Sequence, residues 1–467
     1  MILLKNILKD DPAFQYVVDD LELMSPVGQQ RLLNAPWITE RAAIEAEYDR
    51  IDRAIALLSN ADAAPSVNVV RHQLMQLHDI KGTLSSLKSH ILLSEIELFE
   101  VKLLAHLYGV AAKHLASVGE EGLLAFDGHP LQATLQEVFA LLDPDNTGMA
   151  HFYIYDSYDP RLAPLRKALK ENEDADIFSQ QEAVQQEVIV RLCDKLHPYA
   201  EALSSALEQM GYLDLLLAKA TQARSWQLCR PVLSGERHYL RALFNPRLKQ
   251  HNEQEGLRYQ PVDIELKEGL CLITGANMAG KTVLLKTVGI AQHMAQFGMF
   301  VPAQEASLRL VDDVVLCIGD EQNEMNGLSS FASEIIKISD ALRRTRHEQL
   351  LVLIDEPART TNPIEGKAIV QAMGALLAQQ HSISMVTTHY SQLGLDCRRL
   401  RVKGFVEDMN DVALTPQNIN SFMDYSLVED TTDEVPHEAL RIAAILGCDQ
   451  EMIALAQEHL KHHKTNG

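Results

Sequence analysis

The sequence predicts a multidomain α + α/β protein: a long-helix region, then a phosphate-loop α/β domain, then a short helical tail. Three observations predict it. Residues 66–118 contain no proline, and their apolar positions recur at helical spacing. From about residue 256, short apolar runs alternate with helical stretches. The run Gly275-Ala276-Asn277-Met278-Ala279-Gly280-Lys281-Thr282 sets a glycine, four free positions, then Gly-Lys-Thr between an apolar run and a helical one. The 467 residues have room for two or three domains. Boundaries are expected at 1–245, 246–430 and 431–467.

The first region rests on two helical stretches. One carries Leu92, Leu93, Ile96, Leu98, Phe99, Val101, Leu103 and Leu104, with Gly82 and Gly109 as candidate bends or breaks. The other covers about 182–224, where Pro198 marks a kink or a boundary. Between them, Phe152-Tyr153-Ile154-Tyr155-Asp156 is a candidate short strand. Strands of a largely parallel sheet are expected at Gly269–Thr274, 313–318, Leu350–Ile354, Ile383–Thr387 and 404–408. Residues 436–463 read as a helical pair with a break near Gly447-Cys448-Asp449.

Composition narrows the function classes. With 46% hydrophobic and 23% charged residues the chain can bury sizeable cores. No apolar run is long enough for a membrane span, and the apolar part of the N-terminus is too short for an export signal. Cys193, Cys229, Cys271, Cys317, Cys397 and Cys448 have no metal-ligand spacing and read as buried thiols of a cytoplasmic protein. The net charge is −22, and both halves are acidic: residues 1–250 hold 24 Lys/Arg against 34 Asp/Glu, and residues 251–467 hold 18 against 30. A duplex-binding surface usually carries a basic excess, so this balance weighs against DNA without excluding it.

The glycine run carries the chemistry. A strand, a glycine loop and a helix in that order aim backbone N–H groups and a helix N-terminus at one anion. Gly275, Asn277, Gly280, Lys281, Thr282 and Val283 form the expected cradle for ATP. Lys281 is placed to reach the β and γ phosphates, and the Thr282 hydroxyl to ligate Mg²⁺. A second magnesium ligand is needed at the end of a neighbouring strand. Asp355 fits, because it follows the apolar run Leu350–Ile354. Glu356 comes next and is placed to orient or polarise the attacking water. His389 follows the run Ile383–Thr387 and can sense the γ-phosphate or the water. The cluster Gly327-Leu328-Ser329-Ser330-Phe331-Ala332-Ser333-Glu334 reads equally as a helix cap and as a set of donors for an anion.

Taken together, these residues resemble the ATPase domain of the MutS family, which is of the ABC type. The matching runs are 274–282, 327–334, 355–361 and 387–390. Trp226 to Pro231 resembles the segment joining the family's lever helices to its ATPase. Ser25 to Leu33 and Met210 to Asp214 resemble parts of its helical core and lever. The segment 435–443 resembles its C-terminal dimerising helices. The resemblance implies a homodimer, a Tyr259 that stacks on adenine, and a Ser329 that reaches the partner's γ-phosphate. There are departures. Ala276 and Ala279 stand where the family usually has Pro and Gly, and Pro357-Ala358-Arg359-Thr360-Thr361 replaces a glycine-rich stretch around the arginine. The core resemblance begins near residue 19, so a divergent member lacking the mismatch-reading domain is expected.

Two clients fit. One is branched or aberrant DNA held between paired levers, with Arg71, Lys81, Lys88, Lys102 and Lys113 as candidate contacts against the plainer reading of a solvated helix face. The other is a protein, because some MutS-like ATPases without the mismatch domain look like reactivating partners of an adenosylcobalamin-dependent aminomutase. A third reading, a structural dimer with a degenerate ATPase, is opposed by the intact Lys281, Thr282, Asp355 and Glu356.

Overall fold

The computed structural model describes residues 2–148, 151–172, 174–235, 237–275, 279–319, 330–405, 422–431, 440, 443–444 and 447–465. The chain packs as two compact units. One comprises residues 1–9, 19–36 and 49–224, and the other 10–18, 37–48 and 225–467. The main edge thus lies at 224/225, ahead of the change expected at 245. The strands β1 (Val232–Leu233) and β2 (His238–Leu243) already belong to the second unit, because they pair with strands that lie further along the chain.

The first unit is helical. Its long members are α1 (Glu95–Ser117), α2 (Ala175–Leu196) and α3 (Ala200–Ser225). Pro198 lies in the single turn His197–Tyr199 between α2 and α3, so the expected boundary is there. The proline-free stretch 66–118 is not one helix. It is Ala64–Met75, Lys81–Lys88 and α1. The breaks have local polar causes. Asp79 Oδ1 accepts the Lys81 N–H. Ser94 and Glu97 form a reciprocal capping box that starts α1. Leu92 and Ile96 therefore fall outside the buried stripe and are exposed. Gly109 sits inside α1 and does not break it, while Gly82 lies in the first turn of Lys81–Lys88. Phe152 to Asp156 is not a strand. Ile154 and Tyr155 are buried, the Tyr153 and Tyr155 rings lie 4.0 Å apart, and the chain runs straight into the single turn Asp156–Tyr158.

The candidate DNA-contacting cations of this unit are mostly engaged elsewhere. Lys81 lies 3.3 Å from Glu208, and Lys88 lies 3.0 Å from Glu201. Arg71 donates to Thr221 Oγ1 at 3.0 Å. Lys102 is fully buried, so neither a DNA contact nor a solvated face describes it. Its ammonium donates to Asp143 Oδ1, the His151 carbonyl and Tyr155 Oη at 2.9–3.1 Å. Lys113 is exposed. Asp214 on α3 accepts from the Ser25 N–H and hydroxyl at 2.8 and 2.6 Å, joining the two segments that resemble the family's core.

The second unit holds two sheets. The smaller has strand order β1-β5-β2-β3, where β3 is Val262–Leu266 and β5 is Glu305–Leu308. The larger has order β10-β9-β4-β8-β7-β6. Its strands are β4 (Gly269–Thr274), β6 (Asp313–Cys317), β7 (Leu350–Ile354), β8 (Ile383–Thr387), β9 (Arg398–Phe405) and β10 (Met423–Glu429). Among the described residues, only the β9–β10 pairing in this sheet is antiparallel. Every residue of β4, β7 and β8 is buried, as strands covered on both faces require. The run expected at 404–408 is instead the end of β9, and residues 406–408 lie outside the described residues. Crossovers are made by α4 (Lys281–Gln296), α5 (Ser330–Arg344) and α6 (Pro363–Ala378). Leu272, Val352, Val370, Met373, Leu377 and Val386 form the core between β4, β7, β8 and α6. Most of the first half of the expected helical pair at 436–463 lies outside the described residues; Gly447 has φ 77°, and Gln450–Thr465 is a helix. Among the described residues no helix is long and apolar enough to cross a membrane.

Candidate active site

The carboxyl ends of β4, β7 and β8 converge at the point where the strand order reverses around β4, the place where open α/β sheets bind ligands. Gly275 leaves β4 with φ 145°, and Gly280 has φ 73° at the start of α4. A Cβ at Gly280 would also press within 3.2 Å of the Tyr425 ring. Both positions therefore demand glycine. Asn277 and Ser329 lie outside the described residues.

Lys281 is buried, and its ammonium donates to the Gly275 carbonyl at 2.9 Å. It also lies 3.6 Å from Glu356 Oε1. Burial pushes its pKa down, and the Glu356 and Asp355 carboxylates oppose that shift. The Thr282 hydroxyl donates to Asp355 Oδ2 at 2.7 Å. Thr387 at the end of β8 donates to Asp355 Oδ1 at 2.6 Å and accepts the Glu356 N–H at 2.9 Å. Thr387 thus orients both acidic residues. Its signal in the sequence was one hydroxyl closing an apolar run, too common a pattern to read. Glu356 has φ 44°, and Arg359 Nη1 lies 3.6 Å from its Oε2. His389 is exposed beside this group. Partial desolvation lowers its pKa, nearby Glu356 raises it, and Lys281 and Arg359 lower it again, so the imidazole is held toward its neutral form.

Next to the glycine loop lies a mostly apolar cavity of about 270 Å³. Tyr259, Val262, Val283, Leu284, Val402 and Tyr425 line it. The Tyr259 hydroxyl accepts the Asn245 N–H at 2.7 Å, which fixes that ring as a wall. Gln260 ties the opposite wall down by donating to Asp424 Oδ1 at 2.8 Å and Ser426 Oγ at 3.1 Å. Tyr425 was not among the expected site residues; its place depends on a strand more than 140 residues further along the chain. The structure therefore brings together Gly275, Gly280, Lys281, Thr282, Asp355, Glu356 and His389, with Val283 and Tyr259 at the adjoining cavity.

The MutS domain V family model matches residues 271–464, which include the glycine loop, Lys281, Thr282, Asp355, Glu356, His389 and Tyr425 but not the cavity residues before 271. Endonuclease MutS2 of Thermus thermophilus is 31% identical over 377 residues, covering 78% of this chain and 48% of the relative. Residues 271–464 of this chain belong to the MutS family as its domain V. The match to the family model covers its C-terminal region. Endonuclease MutS2 of Agathobacter rectalis is 34% identical over 235 residues, 50% of this chain and 29% of that protein. DNA mismatch repair protein MutS of Thermus aquaticus is 34% identical over 209 residues, 45% of this chain and 25% of that protein. The chain thus spans at most about half the length of these MutS relatives.

Proposed function

We propose that this chain binds ATP with magnesium and hydrolyses it as a homodimer. The observation that carries the reading is the 2.7 Å contact between the Thr282 hydroxyl and Asp355 Oδ2, beside the buried ammonium of Lys281. A hydroxyl and a carboxylate at the mouth of a phosphate loop form an oxygen set that suits a hard divalent cation. Magnesium held there would neutralise charge on the transferring phosphoryl group. Lys281 exchanges its Gly275 carbonyl for the β and γ phosphates. Glu356 accepts a hydrogen bond from the attacking water and aims it. Neutral His389 holds the same water or the γ-phosphate. Tyr259 and Val283 pack against adenine, and Ser329 acts on the partner's nucleotide. Substituting Glu356→Gln is expected to leave ATP bound with turnover reduced at least about 100-fold. Turnover equal to the parent's in a phosphate-release assay would remove Glu356 from this role.

For the client, the relatives' names support DNA, with nucleotide-dependent grip on branched or aberrant duplexes. A second reading, a protein client such as an adenosylcobalamin-dependent aminomutase, is favoured by the charge of −22 and by the pairing of Lys81 and Lys88 with glutamates. A salt titration with branched DNA separates the two. A DNA client predicts affinity that falls steeply with salt. No binding at low salt, with ATP turnover intact, would leave the protein client.

A further inference from the structure

The turn that follows Glu356 is held in an unusual way. Glu356 and Ala358 both have left-handed backbones, with φ 44° and 59°. Neither side chain favours that region, and Ala358 is fully buried. Two groups grip the Ala358 residue from opposite sides. Its N–H donates to Glu334 Oε1 at 3.3 Å. Its carbonyl accepts from Tyr390 Oη at 3.2 Å. Tyr390 is itself anchored, since its N–H donates to Thr388 Oγ1 at 3.0 Å. Gly366 on α6 makes room for this grip, because a Cβ there would collide with Tyr390 Oη and press on the Ala358 carbonyl.

We propose that Glu334 and Tyr390 are positioning residues that clamp the Ala358 residue and so hold the left-handed turn that aims Glu356. The inference rests on the reading of Glu356 as the water-orienting group. It adds a link between the three segments of the site. Glu334 lies on α5, five residues after Ser329 in sequence. Tyr390 adjoins His389. Both meet at Ala358, one on each of the two peptide groups that flank its left-handed backbone. A glycine at 358 would adopt this backbone without help; an alanine there needs a clamp. The half-buried Glu334 carboxyl fits this role, because burial raises its pKa while the Ala358 N–H opposes that shift.

The test uses steady-state turnover and equilibrium binding of a fluorescent ATP analogue on the full chain, with the melting temperature as a folding control. Tyr390→Phe removes only the hydroxyl, and is expected to lower kcat about tenfold while changing nucleotide affinity less than about twofold. Glu334→Ala is expected to do the same, and Glu334→Gln, which keeps an acceptor oxygen, to restore kcat to within about threefold. Adding Ala358→Gly to Tyr390→Phe is expected to recover most of the lost turnover. A role in stability alone would not be rescued by a glycine, so failure of that rescue overturns the proposal. So does a Tyr390→Phe kcat within twofold of the parent. Glu356→Gln is measured alongside. Full turnover in that variant sinks the reading of Glu356; a dead Glu356→Gln with an unaffected Tyr390→Phe sinks only the clamp. If Glu334→Ala does not fold, Tyr390→Phe and the glycine rescue still decide.

Discussion

Lys102 and Lys281, two of the buried lysines and one from each unit, show how the halves of this chain use charge differently. Lys102 in the helical unit is fully buried, and three fixed oxygens receive its ammonium: a carboxylate, a backbone carbonyl and a phenol. Asp143 is equally committed, accepting from Thr147 and Gly148 as well, and these contacts hold its pKa near 2 against the opposing effect of burial. Nothing in that arrangement has to move. Lys281 in the sheet unit donates to one loop carbonyl and faces Glu356 at a longer 3.6 Å. Its surroundings are the groups that a triphosphate would engage. The first lysine is bound up in structure, and the second is set against chemistry.

The sharpest way to test that contrast is to remove each lysine. Lys281→Ala should lower ATP turnover at least about 100-fold while leaving the unfolding midpoint close to the parent's, because phosphate stabilisation by that charge is lost and little packing goes with it. A large fall in stability instead would make Lys281 a second structural lysine. Lys102→Ala should destabilise the helical unit by about 3–5 kcal/mol in chemical denaturation, since it strands Asp143 as an unpaired buried carboxylate. A loss under about 1 kcal/mol would mean that the loop from Asp143 to Tyr155 does not depend on this cation.

A smaller effect refines the comparison, because the sheet unit also buries a titratable group with no chemical task. His238 on β2 is almost completely enclosed, and neither ring nitrogen has a hydrogen-bond partner among the described residues. Burial pushes its pKa down to about 4. The unfolded chain protonates this residue near pH 6.5 and the folded chain does not, so stability is whole above about pH 6.5 and falls as pH drops toward 4. Between pH 7.5 and pH 5 its contribution is a loss of about 2 kcal/mol. Comparing His238→Leu with the parent at both values isolates it: the variant should lose less stability by that amount. Equal losses would show that the ring is hydrated.

The sheet unit was the more legible half. Leu350–Ile354 is an unbroken apolar run and Ile383–Thr387 is mostly apolar, and a strand buried on both faces leaves that mark. The glycine loop was legible for the same kind of reason: anion binding by backbone demands glycines at fixed spacing. The smaller sheet was missed. Strands such as β2 and β3 mix buried and exposed positions within five or six residues, and their pairing partners lie elsewhere in the chain. In the helical unit, between Met75 and Glu95, a break was anticipated only near Gly82, whereas the chain breaks before Lys81 and again before Glu95. The Ser94–Glu97 capping box was a readable sign that the apolar periodicity masked. Within the candidate site, the convergence of Gly275, Lys281, Thr282, Asp355, Glu356 and His389 could be anticipated because each follows an apolar run that forms a strand. Thr387 and Tyr425 could not be, since each acts through a partner that only the folded sheet brings near.

The antiparallel strand β10 has a further implication for how such a chain is made. It supplies Tyr425, the cavity wall that packs directly against Gly280, and is the last strand of the larger sheet in sequence. A nascent polypeptide emerging from the ribosome exposes its phosphate loop about 150 residues before that wall exists. Order of synthesis alone therefore keeps the cavity open on one side until the sheet's final edge has been added.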